Sequence, residues 1–429
     1  MSTLLQTLPS TLAPVAPTAP AFADVGVIFL VPDQWKSLPQ SRHQVALRLA
    51  RYFRVLWLDD VPTATGIRLE QQRAAGVGGD LSSAPLTVHR LATLERLFNG
   101  SSLMRRALLR RRLRHARRAL RAAGCHRIVL YVWRPTYVTA LDAIKVDHIV
   151  YHIDDEYSFS RDEQAFGMAE GQLLERADCV FVHSPGLLAR KGAINDNTVF
   201  APNGVDFTAY ATPVSEPRDL AAVGGPRLGY CGVIKEHLDI GLLHAIAEAR
   251  PAWAIVLVGP VGNLGDKHAA FEALRALPNV HLLGRSTLEE LPAYVQHFDI
   301  AMMCYEVNGY TNCIYPLKLH EYLAAGRPVV STPIRTALDF DGTITIAAGA
   351  EAWIEAIDAI LSDAIGDPIA ATRGRETAAR HDWDFIVARI ALELSKLLGE
   401  DYADACRAFQ REICPDGIFE GDAATPGSG

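Results

Sequence analysis

The residues best suited to chemistry lie in NGYTNCIYPLKLHEYLAAGRPVVST (308–332). Asn308 to Tyr315 read as a polar loop, with Tyr310 and Thr311 as candidate substrate contacts. Pro316 suits the first position of a helix, where its missing N–H costs nothing. A helix is predicted over 316–325, with Gly326 as its stop and Pro328 opening the next strand. The N-terminus of such a helix offers backbone N–H groups and a partial positive charge, both suited to a phosphate. Lys318 adds a full charge in the first turn, and Glu321, three residues on, projects from nearly the same face. A cation so placed can meet a diphosphate, and a carboxylate beside it can accept from ribose hydroxyls. An isolated pair of this kind reads more simply as an exposed i,i+3 ion pair. The loop, the proline start and the glycine stop together favour the ligand reading.

A second constellation is VYHIDDEYSF (150–159), where three consecutive carboxylates follow an apolar run. Placed at a strand's carboxyl end, they offer a general base for an acceptor hydroxyl, with Asp155 the expected residue. The same acids read equally as a helix N-cap and first turn. In Arg42-His43-Gln44, His43 is either an acceptor contact or a buried structural histidine. A third feature is MRRALLRRRLRHARRALRAAG (104–124), where Leu109, Leu113, Ala116 and Leu120 form a helical stripe among arginines. It reads as a surface for anionic phospholipid through 104–121, or as a solvated helix packed on its domain.

These groups need elements to position them. From Val25 onward, short apolar runs alternate with helical-period segments. Strands are predicted at 25–31, 54–59, 127–133, 147–153 and 178–184, then at 227–232, 253–259, 279–284, 299–305 and 328–332. Continuous Val/Ile/Leu runs separated by helices indicate parallel strands buried on both faces. Two such series predict two doubly wound, Rossmann-like sheets of an α/β protein, with ligands beyond the strands' carboxyl ends in an interdomain cleft. The expected division is a disordered tail (1–23), an acceptor domain (24–211), a Pro/Gly-rich linker (212–226) and a nucleotide domain (227–380). Helices returning to the first domain (381–412) and a second tail (413–429) complete it.

At 429 residues, the chain suits two domains. Its net charge of −7 argues against a nucleic-acid binder. Seven scattered cysteines without a CxxC pair carry no zinc or redox signature and fit a reducing cytoplasm. No run reaches the roughly 18 apolar residues needed to span a bilayer. LDFDGT (338–343) spells a phosphatase signature, but no apolar strand precedes it. GPVGNLG (259–265) lacks the spacing of a dinucleotide loop.

PLKLHEYLAAGRPVVST resembles the sugar-nucleotide motif of GT-B glycosyltransferases, closest to the teichuronic-acid-type, family-four-like group and more distantly the xanthan glucuronosyltransferase. APNGVDFTAY (201–210), LGYCGVIKEHLDIGLL (228–243), VHLLGRSTLEELPAYVQHFDIAMM (280–303) and HDW (381–383) match in the same order. The resemblance implies a glycosyltransferase using a UDP- or GDP-sugar, with a glycan or lipid-linked acceptor, no further cofactor, no metal and no nucleic acid. It places Glu321 at the ribose, Lys318 at the diphosphate, Gly232 against the donor and Leu283 to Arg285 near the base. A retaining enzyme of this group carries a second glutamate where this chain has Cys313. It also carries an Arg and a Lys where this chain has Val233 and Leu238; Lys235 is the candidate replacement. The location implied is cytoplasmic, at the inner membrane face. The rival readings are a sugar-nucleotide epimerase of the same fold and a non-catalytic donor-binding scaffold.

Overall fold

The apolar runs become strands because each is covered on both faces. The computed structural model describes residues 19–35, 40–59, 86–89, 102–159, 167–362 and 368–414, and these contain two sheets. The first is built from β1 (Phe22–Leu30), β2 (Phe53–Leu58), β3 (Leu86–His89), β4 (Arg127–Val132), β5 (His148–Ile153), β6 (Cys179–Val182) and β7 (Thr198–Phe200). Its spatial order is β3-β2-β1-β4-β5-β6-β7. The second contains β8 (Arg227–Cys231), β9 (Ala254–Val258), β10 (Val280–Gly284), β11 (Ile300–Met303), β12 (Val329–Ser331) and β13 (Thr345–Ile346). Its order is β10-β9-β8-β11-β12-β13. Every pairing in both sheets is parallel.

Each sheet therefore reverses its strand order once, between β1 and β4 and between β8 and β11. Loops leaving such a switch point diverge and leave a crevice for ligand. All ten predicted strands form. The three not predicted, β3, β7 and β13, lie at sheet edges. An edge strand needs no continuous apolar run, and the β7 residues are only half-buried.

The described chain separates into two compact units. One is Asn203–Asp382; the other is the chain on either side of it, through Pro202 and from Trp383. The predicted linker, 212–226, lies inside the second-sheet unit. It carries a helical turn, Arg218–Ala221, and buries Leu220 and Val223 in the same core as Leu228. Proline and glycine there marked irregular backbone rather than a boundary. The crossings are instead tied together within that unit. Val205 N donates to His381 O at 2.9 Å, and Phe207 N donates to the Asp382 carboxylate at 3.0 Å. Helices Trp383–Leu398 and Glu400–Ile413 belong to the first-sheet unit, where Asp384 pairs with Arg48 and Arg51. The predicted tails fall mostly outside the described residues, although β1 already begins at Phe22.

The arginine-rich helix spans Ser102–Ala122. It buries Leu108, Leu113, Ala116 and Leu120, whereas Leu109 is only half-buried. Arg112 turns inward, and its guanidinium donates to Asp59 O at 2.6 Å.

Candidate functional site

The ends of β8, β9 and β11 hold the first set of groups. Gly232 and Gly259 both have φ +142, a conformation that side chains rarely adopt. A Cβ on Gly259 would lie 2.0 Å from Gly232 O, and one on Gly232 would lie 3.3 Å from Lys318 Nζ. Glycine at 232 thus brings bare backbone up to the lysine.

Lys318 sits on the helix Leu317–Ala324, one residue shorter at each end than predicted. Pro316 is its N-cap rather than its first residue, with ψ 121, and no side chain caps the first turn. A proline offers no side-chain acceptor, so those backbone donors remain for a ligand. Gly326, at φ +69, ends the helix as its position predicts. The helix is fastened to the sheet by Tyr322, whose hydroxyl accepts from Cys231 N at 2.9 Å. Its buried face carries His320, hydrogen-bonded to the Tyr315 hydroxyl at 2.8 Å and stacked on His381 at 3.9 Å. Burial and His381 hold the His320 pKa well below the usual value, so the imidazole is neutral.

Lys318 Nζ donates to the Tyr305 hydroxyl at 2.7 Å and lies 4.9 Å from the centre of the Tyr230 ring. Burial opposes its charge, but the oxygens of Tyr230, Tyr305 and Glu321 outweigh it, and its pKa lies above the ordinary lysine value. Glu321 accepts a hydrogen bond from the Tyr210 hydroxyl. Burial raises its pKa, against the pull of Lys318 and Tyr210. Among the described residues neither side chain forms a salt bridge, and the two do not pair with each other. The exposed ion pair of the simpler sequence reading is therefore not what forms.

Other predicted contacts divide. Tyr310 stacks on His237 with ring centres 4.1 Å apart. Thr311 is fully buried; its hydroxyl donates to Glu306 O at 2.5 Å and accepts from Asn308 N at 3.0 Å. It shapes the loop instead of facing a substrate. Cys313 is buried behind that loop, and Lys235 and Arg285 are exposed on the loops leaving β8 and β10. Sequence reasoning missed Tyr210, Tyr230, Tyr305 and His237. Three tyrosines read as ordinary core positions, and only folding brings their hydroxyls to Lys318 and Glu321.

The second set of groups lies in the other unit, after β5. Asp154 forms a salt bridge with the buried Arg42, which also bonds Asp33 at 2.6 Å, and accepts from the Tyr157 hydroxyl at 2.8 Å. Glu156 is buried with Lys191 at 3.0 Å. Burial works against its charge, and Lys191 and Ser158 overcome it, holding its pKa below the carboxylate range. Asp155, half-buried between them, accepts from Glu156 N at 2.8 Å. That bond is a local turn contact.

His43 is fully buried between Trp35 and Trp57, at 5.2 and 4.6 Å between ring centres, and accepts from Gln40 N at 3.1 Å. Burial pushes its pKa down to about 4. The expected acceptor contact is instead a neutral packing histidine. Among the described residues, no three His, Cys, Asp or Glu side chains group as a metal site.

Residues 225–363 match the family of group 1 glycosyl transferases. A putative teichuronic acid biosynthesis glycosyltransferase of Bacillus subtilis is 34% identical over 170 residues. That match covers 38% of this chain and 42% of the relative, less than half its length. The crystal structure of Anabaena HepE with UDP superposes with a TM-score of 0.62 at 16% identity, over 87% of this chain and 100% of that one. The chain has the GT-B fold. The sucrose-phosphate synthase of Thermosynechococcus elongatus shows the same GT-B likeness, with a TM-score of 0.61, 16% identity and coverage of 87% and 99%. Gly232, Lys318 and Glu321 all fall inside the matched 225–363 segment. The two-sheet GT-B architecture expected from the sequence is the one observed.

Proposed function

We propose that this GT-B protein is a glycosyltransferase that moves a sugar from a nucleoside-diphosphate sugar to an acceptor hydroxyl. Its acceptor is a glycan or lipid-linked glycan of the cell envelope or an exopolysaccharide. One observation carries this reading: Lys318 and Glu321 are each held by tyrosine hydroxyls, and neither forms a salt bridge with a described residue. Lys318 stands beside Gly232, and both Lys318 and Glu321 lie on a helix whose first turn has no side-chain cap. In the proposed complex, Lys318 and the backbone N–H groups meet the diphosphate, and Glu321 accepts from the ribose. Tyr310, Lys235 and Arg285 contribute from the surrounding loops. The similarity to the teichuronic acid protein supports an envelope glycan. That a GT-B neighbour was crystallised with UDP-glucose supports a UDP-sugar over a GDP-sugar.

In the transfer itself, the Asp155 carboxylate takes the proton of the acceptor hydroxyl. The acceptor oxygen then bonds to the anomeric carbon as the bond from that carbon to the diphosphate oxygen breaks. The nucleoside diphosphate leaves with its charge met by Lys318 and the helix end, and a single displacement inverts the anomeric centre. All seven cysteines are free and buried, which supports a reducing compartment. No described helix is long and apolar enough to cross a membrane.

A thermal-shift screen against UDP- and GDP-sugars tests the donor, because a ligand bound to the native state raises the melting temperature by mass action. A rise with one nucleotide class is expected. No shift with any of them, at concentrations well above micromolar, removes the reading.

A further inference from the structure

The helix Ser102–Ala122 contains no acidic residue. At about 100° per residue, Leu103, Arg110, Arg111, Arg114, Arg118 and Arg121 fall within roughly 100° of one another, and Leu113, Ala116 and Leu120 lie on the far side. The structure agrees: the last three are buried, and all five arginines of the stripe are exposed. Arg121 is tied down by His126 O at 2.9 Å. Arg110, Arg111, Arg114 and Arg118 make no ion pair or hydrogen bond to any described residue.

From Leu103 to Arg121 the stripe runs about 27 Å along the helix at 1.5 Å per residue. At its N-terminal end stand two exposed apolar side chains, Leu103 at 75% and Met104 at 41% of full exposure. In a protein of net charge −7, such a face is a local reversal of sign.

We infer that this face docks the protein flat on an anionic phospholipid bilayer, with Arg110, Arg111, Arg114 and Arg118 on the headgroups and Leu103 dipping below them. Charge alone fits any polyanion. The apolar tip in line with the arginines is what selects a bilayer, which offers hydrocarbon beneath negative charge. The inward face of the helix is already used by its own sheet, so docking requires no rearrangement of the core. The inference is independent of the transferase reading and stands or falls without it.

The test is co-sedimentation of the full-length protein with vesicles of phosphatidylcholine alone and with phosphatidylglycerol added. Binding is expected only with the anionic lipid, and salt should release it. Each arginine near such a surface contributes roughly fivefold. The fourfold variant R110Q/R111Q/R114Q/R118Q should therefore lose at least tenfold in partitioning while keeping its circular dichroism and melting point. Leu103→Ser should weaken vesicle binding severalfold and leave heparin binding unchanged. Equal recovery of the unmodified protein on neutral and anionic vesicles overturns the inference, with no variant needed. So does a Leu103→Ser protein that binds vesicles normally, because the arginines would then serve a soluble polyanion.

Discussion

The carboxyl end of the second sheet and the turn after β5 both concentrate charge, but they treat it in opposite ways. Around Lys318 and Glu321, folding supplies hydroxyls and ring faces, so neither charge is cancelled by a salt bridge. After β5, folding supplies cations, and Arg42 and Lys191 absorb Asp154 and Glu156 into buried pairs. A charge held by neutral groups stays available to a ligand. A buried pair is already satisfied, and removing one partner strands the other.

The sharpest break in the comparison is within that acid turn. Asp154→Asn should destabilise the protein by about 1–3 kcal/mol, because the buried Arg42 loses one of its two carboxylates and keeps Asp33. Asp155→Asn should lower turnover about a hundredfold or more, with donor affinity intact. Urea unfolding and initial rates on the two variants check this. Normal turnover in Asp155→Asn returns the whole turn to structure.

The packing role of His43 predicts a pH effect in the same unit. Its folded pKa is depressed, so its contribution is present above about pH 6.5 and lost as pH falls toward about 4. The full swing is roughly 3 kcal/mol. Urea midpoints followed by tryptophan fluorescence should fall with pH more steeply in the natural protein than in His43→Phe. Parallel curves would mean that His43 titrates as it does in the unfolded chain.

At the other end, Lys318→Ala and Glu321→Ala should each weaken donor binding by roughly 1–3 kcal/mol, the scale of a charge-assisted hydrogen bond. Calorimetric titration with the nucleotide that shifts melting most is the measurement. Unchanged affinity in both would detach the site from the donor.

The smallest effect is an expected absence of one. With Lys318 and the helix end neutralising the diphosphate, transfer should continue in EDTA at an undiminished rate. Strict dependence on magnesium or manganese would show that the diphosphate is met by other means.

The sequence by itself determined the ten strands with continuous apolar runs, because burial on both faces demands them. It also determined the helix with Lys318 and Glu321 one turn apart, because proline, glycine and periodicity are local signals. The short edge strands β3, β7 and β13 escaped it, since a strand covered less completely needs no distinctive pattern. It placed a linker at 212–226, where composition imitates a boundary, while Leu220 and Val223 hold that segment in a core. It set Asp154, Asp155 and Glu156 side by side as equals, and only Arg42 and Lys191, distant in the chain, separate them. It could not tell whether His43 faces solvent or two tryptophans, nor that Tyr210, Tyr230 and Tyr305 meet the lysine and the glutamate. Those facts depend on which side chains arrive from elsewhere in the chain. Solvation and pairing, which decide whether a charge is available, are properties of that assembled neighbourhood and not of any segment alone.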